Sequence, residues 1–420
     1  MNKVKALFFK MRDNAKIRKI AYYAIAVLTF LYIFSIPSFS GREKWNIISY
    51  FLMGLLGAFT ILYTILYSKF KFNKLFIVIL AFVAYSLIGT LIYSHEFRRW
   101  LTLILMTLTM FILYFAFMTI NNNRLIFKIL VFAFLGFSAY FLIVYRNSFS
   151  KLDLSYLRMG DYFDNLNTIG FYFSIAFSVS LYVGLFFKRK IELLYLLPSL
   201  LFFALGFLTG SRAFILVMVV GTLTILFIRL RNKKWLFLVI TILFAVLFFI
   251  LINIPIFSFL KDQFDRMLFT LFGIGYSKVD TSTVQRVLYP QYAFQLAGRN
   301  LLFGYGCNGF AIYSGIGTYS HNNYAEVMCN FGIIGFILYY LSFFIPVAYS
   351  FNPKDESIYI VFVLVALYLI RSFFGVTYYT KDSYLILALC YYLIRDCKIM
   401  SFETSRYSFN RFLYYGEVNI

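Results

Sequence analysis

Long apolar runs separated by short polar stretches fill the chain from residue 20 to residue 395. A helix that crosses a bilayer needs about 20 mainly apolar residues. Twelve runs come near that length: 20–36, 46–67, 75–93, 100–119, 125–145, 166–187, 193–209, 212–230, 235–252, 323–349, 357–379 and 383–395. Because lipid cannot satisfy exposed backbone N–H and C=O groups, such runs should be helical. The pattern predicts an all-α, polytopic integral membrane protein with about 12 transmembrane helices.

One long insertion interrupts this regularity. Residues 253–322 are too many for a simple connection, and they contain the stretches IFSFLKDQFDRMLFTLF and VQRVLYPQYAFQLAGRNLLF. Apolar residues at helical spacing among charges are typical of short helices that lie on a membrane surface or cap a cavity. We therefore predict helices one to nine in 1–252, a large extracytoplasmic loop in 253–322, helices ten to twelve in 323–395 and a cytoplasmic tail in 396–420.

Composition and charge agree with a membrane protein and argue against a nucleic-acid partner. The chain is 62% hydrophobic and 13% charged, whereas soluble domains are about half apolar and a quarter charged. Its net charge of +22 raises the question of nucleic-acid binding. However, 24 of the 39 Lys and Arg residues fall on stretches that are cytoplasmic if the N-terminus is inside. This bias predicts topology, with both termini cytoplasmic. Since the basic N-terminal part is long and no small-residue cleavage site follows FSIPSFSG, we also predict an uncleaved first helix.

Two arginines on the predicted outer side of the membrane are candidates for anion binding. Arg212, in FLTGSRAFILVMVV, begins the eighth run, and Gly210 and Ser211 leave space and free amides beside it. Phosphates bind helix N-termini and guanidinium groups, although an isolated arginine at a helix end can also snorkel to the surface. Arg286, in the long loop, is a second candidate. Taken alone, it is also compatible with a solvated charge on an amphipathic helix.

Two further arginines complete the set of candidate substrate-binding cations. Arg371, in YLIRSFFGV, lies eight residues below the predicted outer end of the eleventh run, which is ~12 Å deep. Charges at that depth usually face a cavity or a partner. Arg158 lies in the shorter outer loop 146–165, close to Asp161 and Asp164, and could simply pair with these acids.

A polar stripe descends the tenth run from its outer end. Asn322, Glu326 and Asn330 are four residues apart and share one helix face. A carboxylate there favours a nearby cation, for which Arg371 and Arg212 are the candidates, or a wet cavity. The alternative is that the stripe only packs helices together through hydrogen bonds.

His321 precedes this stripe and is a candidate catalytic residue. Its imidazole can accept a proton from a hydroxyl group near neutral pH, whereas His95 has no comparable neighbours and is interpreted as structural. Upstream, GYGCNG resembles a dinucleotide-binding glycine loop but lacks the strand–turn–helix context. We expect a cramped turn, with Asn308 as a candidate substrate-binding residue together with Asn322 of the stripe. The four cysteines show no metal-ligand spacing, and we predict neither metal nor cofactor.

Three segments in order, LTGSRAFIL, STVQRVLYPQYAFQLAGRNLLFGYGCNGF and SHNNYAEVMCNFGIIGFILYY, resemble the shared region of the bacterial O-antigen ligase and polymerase superfamily. The resemblance covers roughly residues 150–350; the first 150 residues add only helices. It implies a GT-C-type fold and a metal-independent, inverting glycosyltransferase. The segment MGDYFDNLNTIG departs from the family by having Leu166 where a proline usually stands.

The resemblance also implies roles and partners. The donor is a glycan on undecaprenyl pyrophosphate at the outer leaflet of the bacterial cytoplasmic membrane. Arg212 and Arg286 match the arginines that hold the pyrophosphate, and His321 matches the histidine near the acceptor hydroxyl. Glu326 either orients His321 or Arg212 or acts as the base. We expect a repeat-unit polymerase of O-antigen or capsule, assisted by a chain-length regulator and a flippase. A ligase that transfers the glycan to a lipid-A core or a protein, and a lipid-linked-oligosaccharide flippase, are the alternatives.

Overall fold

The computed structural model describes residues 14–39, 43–67, 73–146, 166–187, 189–254, 281–351 and 355–397, with the short pieces 261, 264–265 and 267–269. Every regular element in these residues is helical, which confirms the all-α prediction. The α-helices are α1 (Ala15–Ser38), α2 (Glu43–Tyr67), α3 (Ile77–Gly89), α4 (Phe97–Ile120), α5 (Asn123–Val144), α6 (Leu166–Phe186), α7 (Leu196–Leu208), α8 (Arg212–Arg229), α9 (Lys234–Asn253), α10 (Thr281–Arg299), α11 (Gly309–Tyr313), α12 (Asn323–Ser350), α13 (Ile360–Arg371) and α14 (Lys381–Leu393).

Several of these helices are long and apolar enough to cross a membrane. Within the described part of the chain, eight meet that criterion by length and composition: Ala15–Ser38, Trp45–Tyr67, Lys74–Ser94, Phe97–Ile120, Asn123–Val144, Leu166–Phe186, Lys190–Leu208 and Asn323–Ser350. Two more apolar helices, Ala213–Arg229 and Lys234–Ile250, are shorter. The chain is therefore a polytopic membrane protein, and the total of about 12 spans stays a prediction.

The inner helices of the bundle are α6, α13 and α14. In α14 every residue from Asp382 to Leu393 is buried, and α6 packs against α5, α7, α8 and α13. By contrast, α9 exposes large apolar side chains such as Leu243 and Phe249. A helix that is apolar all round and half exposed is typical of a lipid-facing position. The buried helices α6, α13 and α14 therefore form the core of the bundle.

A break in α12 receives the turn that we predicted at GYGCNG. Gly332 has φ 62° and ψ −170°, so the backbone carbonyls before it lose helical partners. The backbone N–H groups of Tyr305 and Gly306 donate to the carbonyls of Cys329 (3.0 Å) and Asn330 (2.6 Å). A Cβ on Gly332 would lie 2.3 Å from the Leu302 carbonyl oxygen. The close approach and the positive φ both require glycine there.

The eleventh predicted helix ends earlier than its apolar run. The prediction was 357–379, but α13 ends at Arg371, and residues 372–380 form an irregular segment before α14. Asn323 holds this segment: its side-chain oxygen accepts from the N–H groups of Thr377 (2.8 Å) and Tyr378 (3.0 Å). Its own N–H donates to the Ser372 carbonyl at 2.8 Å. Irregular backbone inside a membrane protein needs such internal partners.

Candidate functional site

A cavity of about 300 Å³ lies where several helices begin or end. Its wall includes side chains from α2, α4, α6, the loop before α12, α13, the segment 372–380 and α14. The polar and aromatic members are Asn46, Tyr50, Thr102, Thr168, Tyr172, Tyr319, His321, Arg371, Phe374, Tyr379, Thr380, Lys381 and Asp382. A larger, more open cavity of about 780 Å³ lies at the opposite ends of α4 and α13, where α5 begins, and contains none of the predicted site residues. The smaller cavity is therefore the candidate site.

His321 enters the cavity from a strained loop. Its φ of 62° is unusual for a residue with a side chain. The Tyr319 ring meets the imidazole edge-on at 4.5 Å, and the Tyr289 ring stacks at 6.0 Å. Burial, with a smaller contribution from the positive charge of Arg286, lowers the pKa of His321 to about 4. The imidazole is consequently neutral near pH 7 and able to accept a proton.

The polar stripe on α12 holds the His321 loop. Asn322 caps the helix by accepting from the Ala325 N–H at 3.1 Å. Glu326, which is buried, accepts from the Ser320 N–H at 2.7 Å and from the Asn330 amide at 3.3 Å. These bonds support the packing alternative for the stripe and make Glu326 a residue that positions the loop. A catalytic role for Glu326, or its pairing with an arginine, stays a prediction.

Asn330 ties the same network to two other segments. Its side-chain oxygen accepts from the Phe310 N–H at 2.8 Å, and its amide also donates to the Tyr378 hydroxyl at 3.2 Å. The turn 304–309 and the segment 372–380 are thus both bound to α12. The turn carries Asn308, which has φ 62° and precedes α11. Asn308 is absent from the described residues that line the cavity, so its substrate-binding role stays a prediction.

Arg371 is buried beside the cavity, at 5% exposure. The predicted depth below a helix end was wrong, because Arg371 is the last residue of α13 and the segment 372–380 folds over it. One guanidinium nitrogen donates to the Thr168 hydroxyl at 3.2 Å, and the group lies 5.6 Å from the Phe171 ring centre. A Cβ on Gly375 would lie 2.5 Å from Nη1. Gly375 therefore provides the space that the guanidinium occupies.

Arg286 and Arg212 approach the same region from other helices. Arg286 is partly buried on α10, which packs against α12, and its charge acts on His321. Arg212 begins α8 directly after Ser211, whose hydroxyl accepts from the Phe214 N–H and donates to Asn167 at 3.0 Å. The next residue, Ala213, packs with the cavity-lining Phe374. The Arg212 side chain and all of Arg158 lie outside the described residues, so their contacts stay predictions.

Sequence reasoning missed one group of cavity residues. Lys381 and Asp382 come from the start of α14, Asn46 and Tyr50 from α2, and Thr102 from α4. The resemblance adds only helices in the first 150 residues, and two of those helices contribute polar side chains to this cavity. The sequence contained one indication of this group, the Lys381–Asp382 pair immediately before an apolar run. The indication was weak because charged residues are common at the ends of ordinary membrane helices.

Comparison with protein families gives a match in the middle of the chain. Residues 197–340 match the family model described as O-antigen ligase, a range that includes Arg212, Arg286 and His321. A search of the curated proteins gives no match. Within the described residues, no His, Cys, Asp and Glu side chains form a group of three that could hold a metal ion.

Proposed function

We propose, on the premise that this chain belongs to the O-antigen ligase and polymerase superfamily, that it polymerises undecaprenyl-pyrophosphate-linked oligosaccharide repeat units of a surface polysaccharide. The observation that carries the proposal is the shared cavity. A neutral imidazole and a buried guanidinium line the same space of about 300 Å³, and a second arginine acts electrostatically on the imidazole. A proton acceptor beside cations suits glycosyl transfer from a diphosphate.

The proposed reaction is a single displacement with inversion. The acceptor hydroxyl oxygen attacks the anomeric carbon of the donor from the face opposite the pyrophosphate, while His321 takes the hydroxyl proton. The new glycosidic bond forms as the bond between the anomeric carbon and the pyrophosphate oxygen breaks. Undecaprenyl pyrophosphate leaves with the bonding electrons. A general base at this step contributes about 10²–10⁴-fold to the rate.

Arginines stabilise the leaving group in this mechanism. Arg371, Arg286 and Arg212 are the groups that we assign to the diphosphate, whose negative charge grows as the bond breaks. Guanidinium groups bind phosphate oxygens through paired N–H donors. Fixed donors in a site of low dielectric stabilise developing charge more strongly than water does. The cations would thereby take the place that a metal ion has in other glycosyltransferases.

The charge pattern supports an outward-facing site in the cytoplasmic membrane. Arg124, Lys128, Arg231 and Arg395 lie at the end of the bundle opposite His321. Since basic residues concentrate on the cytoplasmic side, that end would face the cytoplasm and the His321 cavity would open outward. Lipid-linked repeat units presented on the outer leaflet could then reach it, in a fold of the GT-C type.

The test uses purified protein in lipid nanodiscs with an undecaprenyl-pyrophosphate repeat unit as both donor and acceptor. We expect a ladder of longer lipid-linked chains, resolved by gel electrophoresis or mass spectrometry. The ligase alternative is kept because the matching family model carries that description. Glycan found only on added lipid-A core or protein acceptor would favour the ligase, and movement across vesicles without lengthening would favour a flippase.

A further inference from the structure

A second set of polar side chains lines the same cavity and has no part in the proposed displacement. Lys381 and Asp382 begin α14, Asn46 and Tyr50 lie in the first turns of α2, and Thr102 lies near the start of α4. Asp382 is buried. Lipid-facing helix ends do not need such a concentration of polar groups, and buried ionisable groups in membrane proteins usually mark a ligand site.

Lys381 is held in place rather than free to rotate. Its ammonium donates to the Ser49 hydroxyl at 3.0 Å and to the Asn46 oxygen at 3.5 Å, and it lies 4.3 Å from the centre of the Tyr50 ring. Ser49 is buried and accepts a further bond from Ser35 of α1 at 3.1 Å. A lysine fixed in this way loses little side-chain entropy when a ligand binds.

The chemistry of this wall suits a sugar ring. A pyranose presents hydroxyl groups that both donate and accept, and apolar C–H faces between them. The ammonium of Lys381 and the carboxylate of Asp382 are adjacent donor and acceptor groups, and Tyr50, Tyr172 and Tyr379 supply aromatic rings in the same cavity. A cavity of about 300 Å³ is at the small end of ligand pockets. The carboxylate of Asp382 would repel a diphosphate. This part of the cavity wall therefore suits a neutral sugar better than the part near Arg371 does.

We propose that Lys381, Asp382, Asn46 and Tyr50 form a saccharide subsite that holds the terminal sugar of the acceptor glycan beside His321. The inference rests on the proposed function, since it takes the arginines to hold the donor diphosphate. The sugar that His321 deprotonates then belongs to the acceptor. All four residues lie outside 197–340, the range that the family model matches. The residues that we assign to the acceptor sugar therefore come from other parts of the chain than Arg212, Arg286 and His321.

The test separates acceptor from donor in elongation kinetics. We would vary a short-lipid repeat-unit acceptor against a fixed donor, then the reverse, for wild type, Lys381→Met and Tyr50→Leu. Losing a charged hydrogen bond or an aromatic wall should raise the acceptor KM about tenfold or more, with the donor KM changed less than about twofold. Lys234→Met, an exposed lysine at the start of α9, is the matched control and should match wild type.

A binding measurement independent of turnover completes the test. Lipid-free repeat-unit saccharide should show saturation-transfer NMR signals with wild type and lose them with Lys381→Met, while both proteins keep the same melting temperature. An unchanged acceptor KM in both variants would overturn the subsite, as would a donor KM that rises equally. Elongation absent from wild type, together with saccharide binding that depends on Lys381, would sink the proposed function and leave the subsite standing.

Discussion

The two ends of the helix bundle treat buried charge differently. At the end where α5 begins, the buried carboxylate of Glu192 lies 3.2 Å from Arg124 and 3.9 Å from Lys128. At the His321 end, Arg371 contacts a threonine hydroxyl and an aromatic ring, and Lys381 contacts a serine, an asparagine and a tyrosine. Removing one member of a buried ion pair leaves the other charge uncompensated and destabilises the fold, whereas buried charges that line a cavity in a membrane protein usually mark a ligand site.

The largest expected effect comes from removing the proposed base. His321→Ala should reduce chain elongation about 10²–10⁴-fold without changing expression or the melting temperature above pH 7, because the loop is held by Glu326 through Ser320. Single-turnover rates with saturating donor would measure this. His95→Ala, at the other histidine, serves as the control, and wild-type product length in His321→Ala would remove His321 from the mechanism.

Removing an arginine assigned to the diphosphate should have the next largest effect on the elongation rate. Arg371→Ala should slow elongation about 10²–10³-fold, the range seen when one donor to a developing negative charge is deleted, and Arg212→Ala should act in the same direction. Arg124→Ala removes a more exposed arginine at the other end of the bundle and should leave the elongation rate per folded molecule unchanged. Equal rate losses at both ends would contradict the distinction between them.

The pH profile should report the buried imidazole. Since the pKa of His321 is lowered from 6.5 to about 4, kcat/KM should stay high as the pH falls below neutrality and decline with a midpoint near 4. Arg286→Gln should move this midpoint upward, because the cation contributes to the lowering. A wild-type midpoint at 6.5 or above would count against a buried neutral base.

The lowered pKa of His321 also makes the stability of the fold depend on pH. The unfolded chain binds a proton at His321 as the pH falls through 6.5, whereas the folded chain does so only near pH 4. The folded state therefore loses stability as the pH falls across this window. His321→Gln should flatten that part of the melting-temperature profile.

A smaller effect should follow from crowding Arg371. The Cβ of Gly375→Ala would meet Nη1 at 2.5 Å and must displace the guanidinium, so elongation should fall about tenfold, as expected for a misplaced positioning group. Gly54→Ala, where nothing lies within 4 Å of the new Cβ, is the matched control. A wild-type rate in Gly375→Ala would show that the position of the guanidinium is not critical.

A charge removed at the end of the bundle where α5 begins should lower stability and leave the elongation rate unchanged. Glu192→Gln removes the buried charge that faces Arg124 and Lys128 and should lower the free energy of unfolding by about 1–3 kcal/mol, less than for a fully enclosed pair because both partners are partly exposed. Denaturation in nanodiscs measures this. A loss of elongation rate per folded molecule would contradict the structural role of this pair.

The sequence predicted the class of fold and some residues of the candidate site. Apolar runs such as 20–36 and 125–145 correspond to α1 and α5 because helix formation in lipid depends on local length and composition. His321 and Arg286 were found by residue type and position near a predicted membrane mouth. Arg371 was chosen for its depth below a helix end, but it is the last residue of α13, and its guanidinium lies against Thr168 and Phe171 of α6.

What the sequence alone determined about this protein is its division into apolar helices and polar helix ends, since both depend on residues close together along the chain. The tertiary structure decided which ends meet. The break at Gly332 exists because Tyr305 and Gly306 supply the N–H groups that the freed carbonyls need. Lys381 bonds to Asn46, 335 residues away. Which helices pack together depends on the shapes of whole surfaces, and no local pattern contains that information.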